Sequence, residues 1–212
     1  MPQLTPMTST NVEFAGLVWN GATRLTFGSG GEIYAQGEAT KLIYRVLRWS
    51  VRISHLQADG RRQVVAFYYE GDVFGVEVED RHRFCAEALA DCDVLALRRS
   101  GSAADVDGLI GPMVWAATTS ELRRAQSHML LLGRATACEK VARFLLDIAE
   151  RFRGEFVLLP MSRQDMADYL GLTIETISRM LGRLQADGVI ELSGSRKCRI
   201  RRLAFLSELA AG

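Results

Sequence analysis

Between Arg24 and about Arg99 the chain alternates short apolar runs with glycines. Leu42–Ile43–Tyr44–Arg45–Val46–Leu47 is followed by Val51–Arg52–Ile53–Ser54–His55–Leu56 and an Asp59–Gly60 turn signal. Gln63–Val64–Val65–Ala66–Phe67 and Asp93–Val94–Leu95–Ala96–Leu97 continue the pattern. Alternate side chains of a strand face the same side, so such runs between Gly-bearing turns predict strands. Many short strands in one stretch predict an all-β sandwich or barrel. Residues 1–20 carry few large apolar side chains before Phe14 and read as a loose arm.

After Pro112 no proline occurs until Pro160, and the apolar period becomes helical. Trp115, Thr118, Leu122, Ala125, Met129 and Leu132 recur in alternating steps of three and four, the stripe of a helix seam. A stripe this regular predicts dimerisation through a helix pair rather than packing on the chain's own β region. Glu121, Arg123 and Arg124 lie off the stripe and read as its solvated flank. A second helix is predicted from about Ala135 to Phe152, with Val141, Phe144, Leu145 and Ile148 as its apolar face and Gly154 at its end.

The segment from Met161 to Leu181 carries the most chemistry. Ser162 with Asp165 has the spacing of a capping box. Ala167, Gly171 and Ile177 follow as a small residue, a residue free to turn left-handed, and a β-branched apolar residue. That spacing predicts two short helices crossing at a tight turn, a helix-turn-helix. Thr173 is placed to cap the second helix, whose buried stripe is Ile177, Leu181 and Leu184. Its outward face holds Ile174, Glu175, Ser178, Arg179 and Arg183. A guanidinium takes guanine O6 and N7 with two hydrogen bonds, and a carboxylate accepts from cytosine N4. On the exposed face of a turn-flanked helix, Glu175 and Arg179 point to base reading rather than to a surface ion pair.

After Gly188, Val189–Ile190–Glu191–Leu192, a Ser193–Gly194–Ser195 turn and Lys197–Cys198–Arg199–Ile200–Arg201 predict a basic β hairpin, or wing. Arg196 and Lys197 there would meet phosphates, which fix register without reading sequence. Charge agrees. The chain of 212 residues has a net charge of only +1, yet Arg and Lys crowd its last stretch while acids such as Glu70, Asp72, Glu77 and Asp80 lie earlier. No apolar run is long enough to span a bilayer, and the first residues lack the order of a signal peptide, so a cytoplasmic protein is expected.

A β domain, a long heptad helix and a winged helix-turn-helix, in this order, resemble the CRP/FNR superfamily of bacterial transcription regulators. The likeness is closest to its FNR/FixK branch, through Tyr169–Leu–Gly–Leu–Thr–Ile–Glu–Thr–Ile–Ser–Arg and Leu181–Gly–Arg–Leu184. Gly71–Asp72–Val73–Phe74–Gly75 and Ala86–Glu87–Ala88 match the superfamily's β domain. The resemblance implies an α+β chain that is not an enzyme. A flexible arm (1–20) would precede an N-terminal double-stranded β-helix, a jelly-roll of the cyclic-nucleotide-binding kind (21–107). A dimerisation helix (108–134) and a C-terminal winged helix-turn-helix (135–212) would follow. It also implies a homodimer on double-stranded DNA that recruits RNA polymerase as an activator. In this branch residues at the positions of Glu175, Ser178 and Arg179 read a TTGAT-like half-site, giving a palindrome of the TTGAT-N4-ATCAA kind. Ile174 stands where cyclic-AMP-binding relatives have Arg, in keeping with T at the outer position. Arg163, Gln164, Thr173 and Thr176 fall where relatives touch phosphates, and Arg183 lies one turn on.

The departures define the regulation expected. A cyclic-nucleotide pocket needs Gly–Glu–Leu after the Phe and an Arg–Ser/Thr pair. Here Val76–Glu77–Val78 follows Phe74–Gly75, and Phe84–Cys85 takes the place of the pair. A buried phosphate without cation or hydroxyl would be left uncompensated, so no cyclic AMP binding is expected. An oxygen-sensing iron–sulfur cluster needs grouped N-terminal cysteines, and none precedes Cys85. What remains implies a FixK-like regulator without cofactor, active in low-oxygen programmes. A ligand- or haem-gated sensor of the same architecture is the alternative.

His55, His82 and His128 lack paired metal spacing, which argues against a metal site and against a cupin-type metal enzyme. The cysteines Cys85, Cys92, Cys138 and Cys198 are scattered and read as buried thiols. Cys198 is in addition a redox-sensitive candidate, if Lys197 and Arg199 lower its pKa, although a small inward-facing residue beside Ile200 is the favoured reading.

Overall fold

The computed structural model describes residues 19, 21–99, 110–134, 136–152 and 156–211. Eight strands come first: β1 (Thr23–Phe27), β2 (Glu32–Tyr34), β3 (Leu42–Arg48), β4 (Ser50–Leu56), β5 (Arg62–Tyr69), β6 (Val73–Phe74), β7 (Cys85–Ala88) and β8 (Cys92–Arg98). They form two sheets, ordered β1-β8-β3-β6 and β2-β7-β4-β5. β3 and β8 pair antiparallel with Tyr44 opposite Ala96 and Val46 opposite Val94, all four buried. The four apolar runs of the sequence fall on β3, β4, β5 and β8. The short strands β1, β2, β6 and β7 hold too few residues for alternation to show.

Trp19 corrects the expected arm. It is only 8% exposed and packs with Ile43, Ala22, Leu95 and Leu97. The rest of the expected arm lies outside the described residues.

The long helix α1 (Ile110–Arg134) opens on the same cluster through Ile110, Met113 and Val114. α2 (Ala137–Phe152) buries Val141, Phe144, Leu145 and Ile148, as its period predicted. The expected glycine stop, Gly154, lies outside the described residues. Then come β9 (Phe156–Leu158), α3 (Arg163–Leu170), α4 (Ile174–Ala186), β10 (Ile190–Ser193), β11 (Lys197–Ile200) and α5 (Leu203–Ala211). The predicted wing is β10–β11, and β9 extends it to a sheet ordered β10-β11-β9. α2 packs on α4, α5 and β9, so it is the floor of this domain.

The chain divides into two compact units that are not continuous in sequence: Met1–Val51 with Phe67–Leu122, and Arg52–Ala66 with Arg123–Gly212. The β4–β5 hairpin therefore groups with the C-terminal elements, which a linear reading of domains does not foresee.

Candidate nucleic-acid interface

α3 begins with the predicted capping box. The Asp165 amide donates to Ser162 Oγ at 3.1 Å, and the Ser162 amide donates to Asp165 Oδ2 at 2.9 Å. Two of the helix's orphan donors are thereby satisfied. The helix stops at Gly171, which is left-handed at φ 62°, with the Gly171 and Leu172 amides both bonded to Ala167 O. Ala167 itself is fully buried. A Cβ at Gly171 would meet only ordinary contact with Leu132, so the backbone angle alone demands glycine. Gly171→Ala should lower unfolding free energy by about 1–2 kcal/mol, and Gly171→Asn by less, in denaturant titrations. An unchanged midpoint for the alanine variant would contradict this.

α4 starts at Thr173, whose hydroxyl accepts from the Thr176 amide at 3.2 Å. Ile177, Leu181 and Leu184 are buried, as the periodicity required. Ile174, Glu175, Ser178, Arg179 and Arg183 are exposed on the other side. Among the described residues no ion pair joins Glu175 to Arg179, and Arg183 reaches Asp187 only at 3.8 Å. The Glu175 carboxyl is held below its ordinary range by its own amide and the Thr173 hydroxyl. It therefore presents a full negative charge on the same exposed face of α4 as the Arg179 guanidinium.

The residues expected at phosphates lie on α3, at the start of α4 and on the wing. Thr173 and Gln164 are exposed, and Gln164 Nε2 donates to Asp168 Oδ1 at 2.6 Å. Thr176 is half-buried. Arg196 and Lys197 are exposed at the tip of the wing, where Gly194 turns left-handed at φ 73°. Arg163 differs, being half-buried with its Nη1 enclosed, and its charge is felt by the Cys198 thiol.

Cys198 does not meet the reactive-thiol expectation. It is fully buried in β11 opposite Val157. Burial pushes its thiol up to about 11, with Arg163 acting in the opposite direction. Strand alternation turns Lys197 and Arg199 to the other face, and the Arg199 guanidinium lies 5.0 Å from the Phe156 ring centre.

Two contacts that the sequence did not announce hold the helix-turn-helix. The His128 and Tyr169 rings stack at 4.0 Å, and His128 Nε2 bonds the Tyr169 carbonyl at 2.8 Å. Burial lowers the His128 pKa, the Tyr169 carbonyl raises it, and the Lys140 charge lowers it, for a net fall below 6.5. A histidine depressed on folding contributes stability that is present above its unfolded value and lost as pH falls through its folded value. The thermal midpoint should therefore drop on acidification below about pH 6.5, and His128→Phe should flatten that dependence. Equal slopes for the two proteins would refute the assignment.

The second contact is a four-charge network. Arg52 pairs with Asp165 Oδ1, which also accepts from Arg62 Nη2 at 2.8 Å. Arg62 reaches Asp168 Oδ2 through Nε at 3.0 Å and Nη2 at 2.7 Å. Gln63 Nε2 adds a bond to the Asp168 carbonyl at 3.1 Å. Asp165 is 3% exposed. Its burial disfavours the charge, but the Ser162 hydrogen bonds and the charges of Arg52 and Arg62 prevail, and its pKa is lowered.

On α1, Trp115, Leu122 and Met129 recur one heptad apart and are 75%, 59% and 66% exposed. Thr118 and Ala125 between them are exposed as well, while Leu132 is half-buried. The expected solvated flank is only partly so. Glu121 is half-buried and accepts from the Tyr68 hydroxyl at 2.6 Å, and Arg124 is also half-buried.

The β unit's interior is filled by rings. Tyr34 stacks on His82 at 3.6 Å and lies 5.6 Å from Tyr44 and 6.3 Å from Phe74. Phe74 in turn adjoins Tyr44 at 5.2 Å and Tyr68 at 5.5 Å. His82 Nδ1 bonds Glu77 Oε1 at 2.8 Å. A Cβ on Gly75 would fall 2.8 Å from the Tyr44 ring, so the glycine is what lets that ring in. Cys85, in the place of the phosphate-binding pair, is buried. Among the described residues no group of His, Cys, Asp and Glu could hold a metal ion, and no helix is long and apolar enough to cross a membrane.

Comparison with known proteins agrees with this geometry. The family model of the Crp-like helix-turn-helix domain matches residues 139–209, and that of the cyclic nucleotide-binding domain matches residues 24–103. The nitrogen fixation regulation protein FixK of Azorhizobium caulinodans is 43% identical, over 88% of this chain and 79% of the relative. The FixK of Rhizobium meliloti is 42% identical, over 87% and 85%. The solved structure of FixK2 from Bradyrhizobium japonicum superposes with a TM-score of 0.85 at 44% identity, covering 90% of this chain and 98% of that one. Fold, reading helix and relatives converge: the chain belongs to the CRP/FNR family, as a FixK-like DNA-binding transcription regulator and not an enzyme.

Proposed function

We propose that the protein acts as a homodimer on a palindromic duplex of the TTGAT-N4-ATCAA kind, activating transcription with RNA polymerase in low-oxygen gene control. The observation that carries this reading is the exposed face of α4, where Glu175, Ser178 and Arg179 stand together and, among the described residues, none of them forms an ion pair. Ile174, 38% exposed at the start of the same helix, offers apolar contact to a thymine methyl group. Gln164, Thr173, Thr176, Arg183, Arg196 and Lys197 then serve the phosphates, and Arg163 joins them by swinging outward from its half-buried position. The exposed heptad face of α1, through Trp115, Thr118, Leu122, Ala125 and Met129 with the half-buried Leu132 at its end, supports pairing with a second copy. Two reading helices would then meet half-sites about 34 Å apart, one turn of B-DNA.

The same reading takes the regulator to work without cyclic AMP or an iron–sulfur cluster. Support comes from the interior of the β unit, where Tyr34, Tyr44, Phe74 and Tyr68 occupy the space themselves and Phe84–Cys85 offers a phosphate neither cation nor hydroxyl. The low-oxygen assignment is what the FixK-like resemblance implies, and the relatives named for nitrogen fixation regulation are in keeping with it. Selection of bound sequences from random duplexes, at fixed salt and without added ligand, tests the proposal. A palindrome with TTGAT-like halves is the expected winner, and recovery of no preferred sequence would overturn it.

A further inference from the structure

We propose that Arg52 and Arg62, on the β4–β5 hairpin, are positioning residues for DNA reading: they clasp α3 and so fix the angle at which α4 is presented. This rests on the DNA-reading role proposed above and adds to it how the reading head is held.

Neither arginine belongs to the helix-turn-helix, and neither lies on the exposed face of α4. Both converge on carboxylates of α3. Arg62 bridges Asp165 and Asp168, and Arg52 pairs with Asp165 from a side chain that is only 11% exposed. Gln63 grips the Asp168 carbonyl, so the hairpin holds backbone as well as side chains. Asp165 also completes the capping box with Ser162 at the start of α3, so the clasp and the start of the helix share one carboxylate. Asp168 is bonded at its other oxygen to Gln164, a residue on the phosphate side of α3. One chain of bonds thus runs from Arg62 through Asp168 to Gln164.

Charge explains why guanidinium is needed. Asp165 and Asp168 lie on the helix that approaches a polyanion, and bare carboxylates there would repel it. Two guanidiniums neutralise them. A guanidinium also has a fixed fork, which sets direction as well as charge. A buried ion pair is poor evidence for stability but well suited to selecting one arrangement among several. Here the arrangement selected is the pose of α3, and α4 follows because only Gly171, Leu172 and Thr173 separate the two helices.

The test compares the full-length protein with Arg52→Met, Arg62→Met and Arg62→Lys. Affinity is measured by fluorescence anisotropy for the duplex recovered in the selection and for a random duplex. Thermal melts and amide exchange of residues 163–170 are recorded on the same samples without DNA. The methionine variants keep the apolar stems and should bind the selected duplex at least tenfold more weakly, with less than threefold change on the random duplex. Exchange in α3 should rise in both. Arg62→Lys keeps the charge but not the fork and should lose about threefold on the selected duplex alone, which decides the matter if Arg62→Met fails to fold. A merely structural role would move the melt and both affinities together, and simple loss of positive charge would weaken both duplexes alike; either result overturns the proposal. So does binding of the selected duplex by all variants within twofold of wild type. Failure of the wild type to prefer the selected duplex is a different outcome: it removes the DNA-reading role itself, and the clasp's part in it.

Discussion

Leu122→Asp should convert the protein to a folded monomer and weaken binding to a palindromic duplex by about 10²–10⁴-fold. Leu122 is central to the exposed heptad face, between Trp115 and Met129. In a two-fold pair the substitution places a carboxylate in the seam from each copy, close to its own image. Burying either charge without a partner costs several kcal/mol, and their mutual repulsion adds to it. Within a single chain Leu122 is already exposed, so the protomer loses little by the change. The DNA consequence follows from linkage. A dimer engages the second half-site at an effective concentration set by the first, and a monomer forfeits that gain. Sedimentation velocity and anisotropy on full and half-site duplexes check both parts. A variant that stays dimeric, or a monomer that binds the palindrome as wild type does, would refute the role given to α1.

Arg179→Ala should cost about 1–3 kcal/mol per half-site on the preferred duplex and relax discrimination at one guanine in each. The guanidinium is exposed, has no ion-pair partner among the described residues and is not needed by the core of α4, so folding should be untouched. Arg196→Ala is the proper contrast. At the wing tip it should weaken all duplexes alike and reduce the salt slope by about 1 per protomer, hence about 2 for the dimer. Base-substituted duplexes assayed at several salt concentrations separate the two patterns. Uniform weakening by both variants would show that Arg179 is one more phosphate contact.

The reading head was legible because its determinants are local. A capping box, a small residue, a glycine and a buried stripe all fall within one short stretch, and each has a mechanism that depends only on near neighbours. The same holds for the α1 stripe and the wing. What escaped was long-range. Arg52 and Arg62 read as ordinary polar residues in alternating strands, and nothing near them in sequence points to α3. His128 read as an isolated imidazole until Tyr169 was placed beside it. Trp19 ends a short apolar run, Leu17–Val18–Trp19, whose partner Ile43 is far off in sequence and reaches it only on folding. For Cys198 the favoured inward-facing reading agrees with its burial, because strand alternation sends the flanking cations to the opposite face.

On α4 the residues facing the floor of the domain and those facing outward are disjoint sets. Ile177, Leu181 and Leu184 carry the anchoring, while Ile174, Glu175, Ser178, Arg179 and Arg183 carry none of it. Under the role proposed for α4, operator preference is a replaceable cassette. Transplanting those five outward side chains from a cousin with another address should redirect the regulator to new promoters, with its scaffold unaltered.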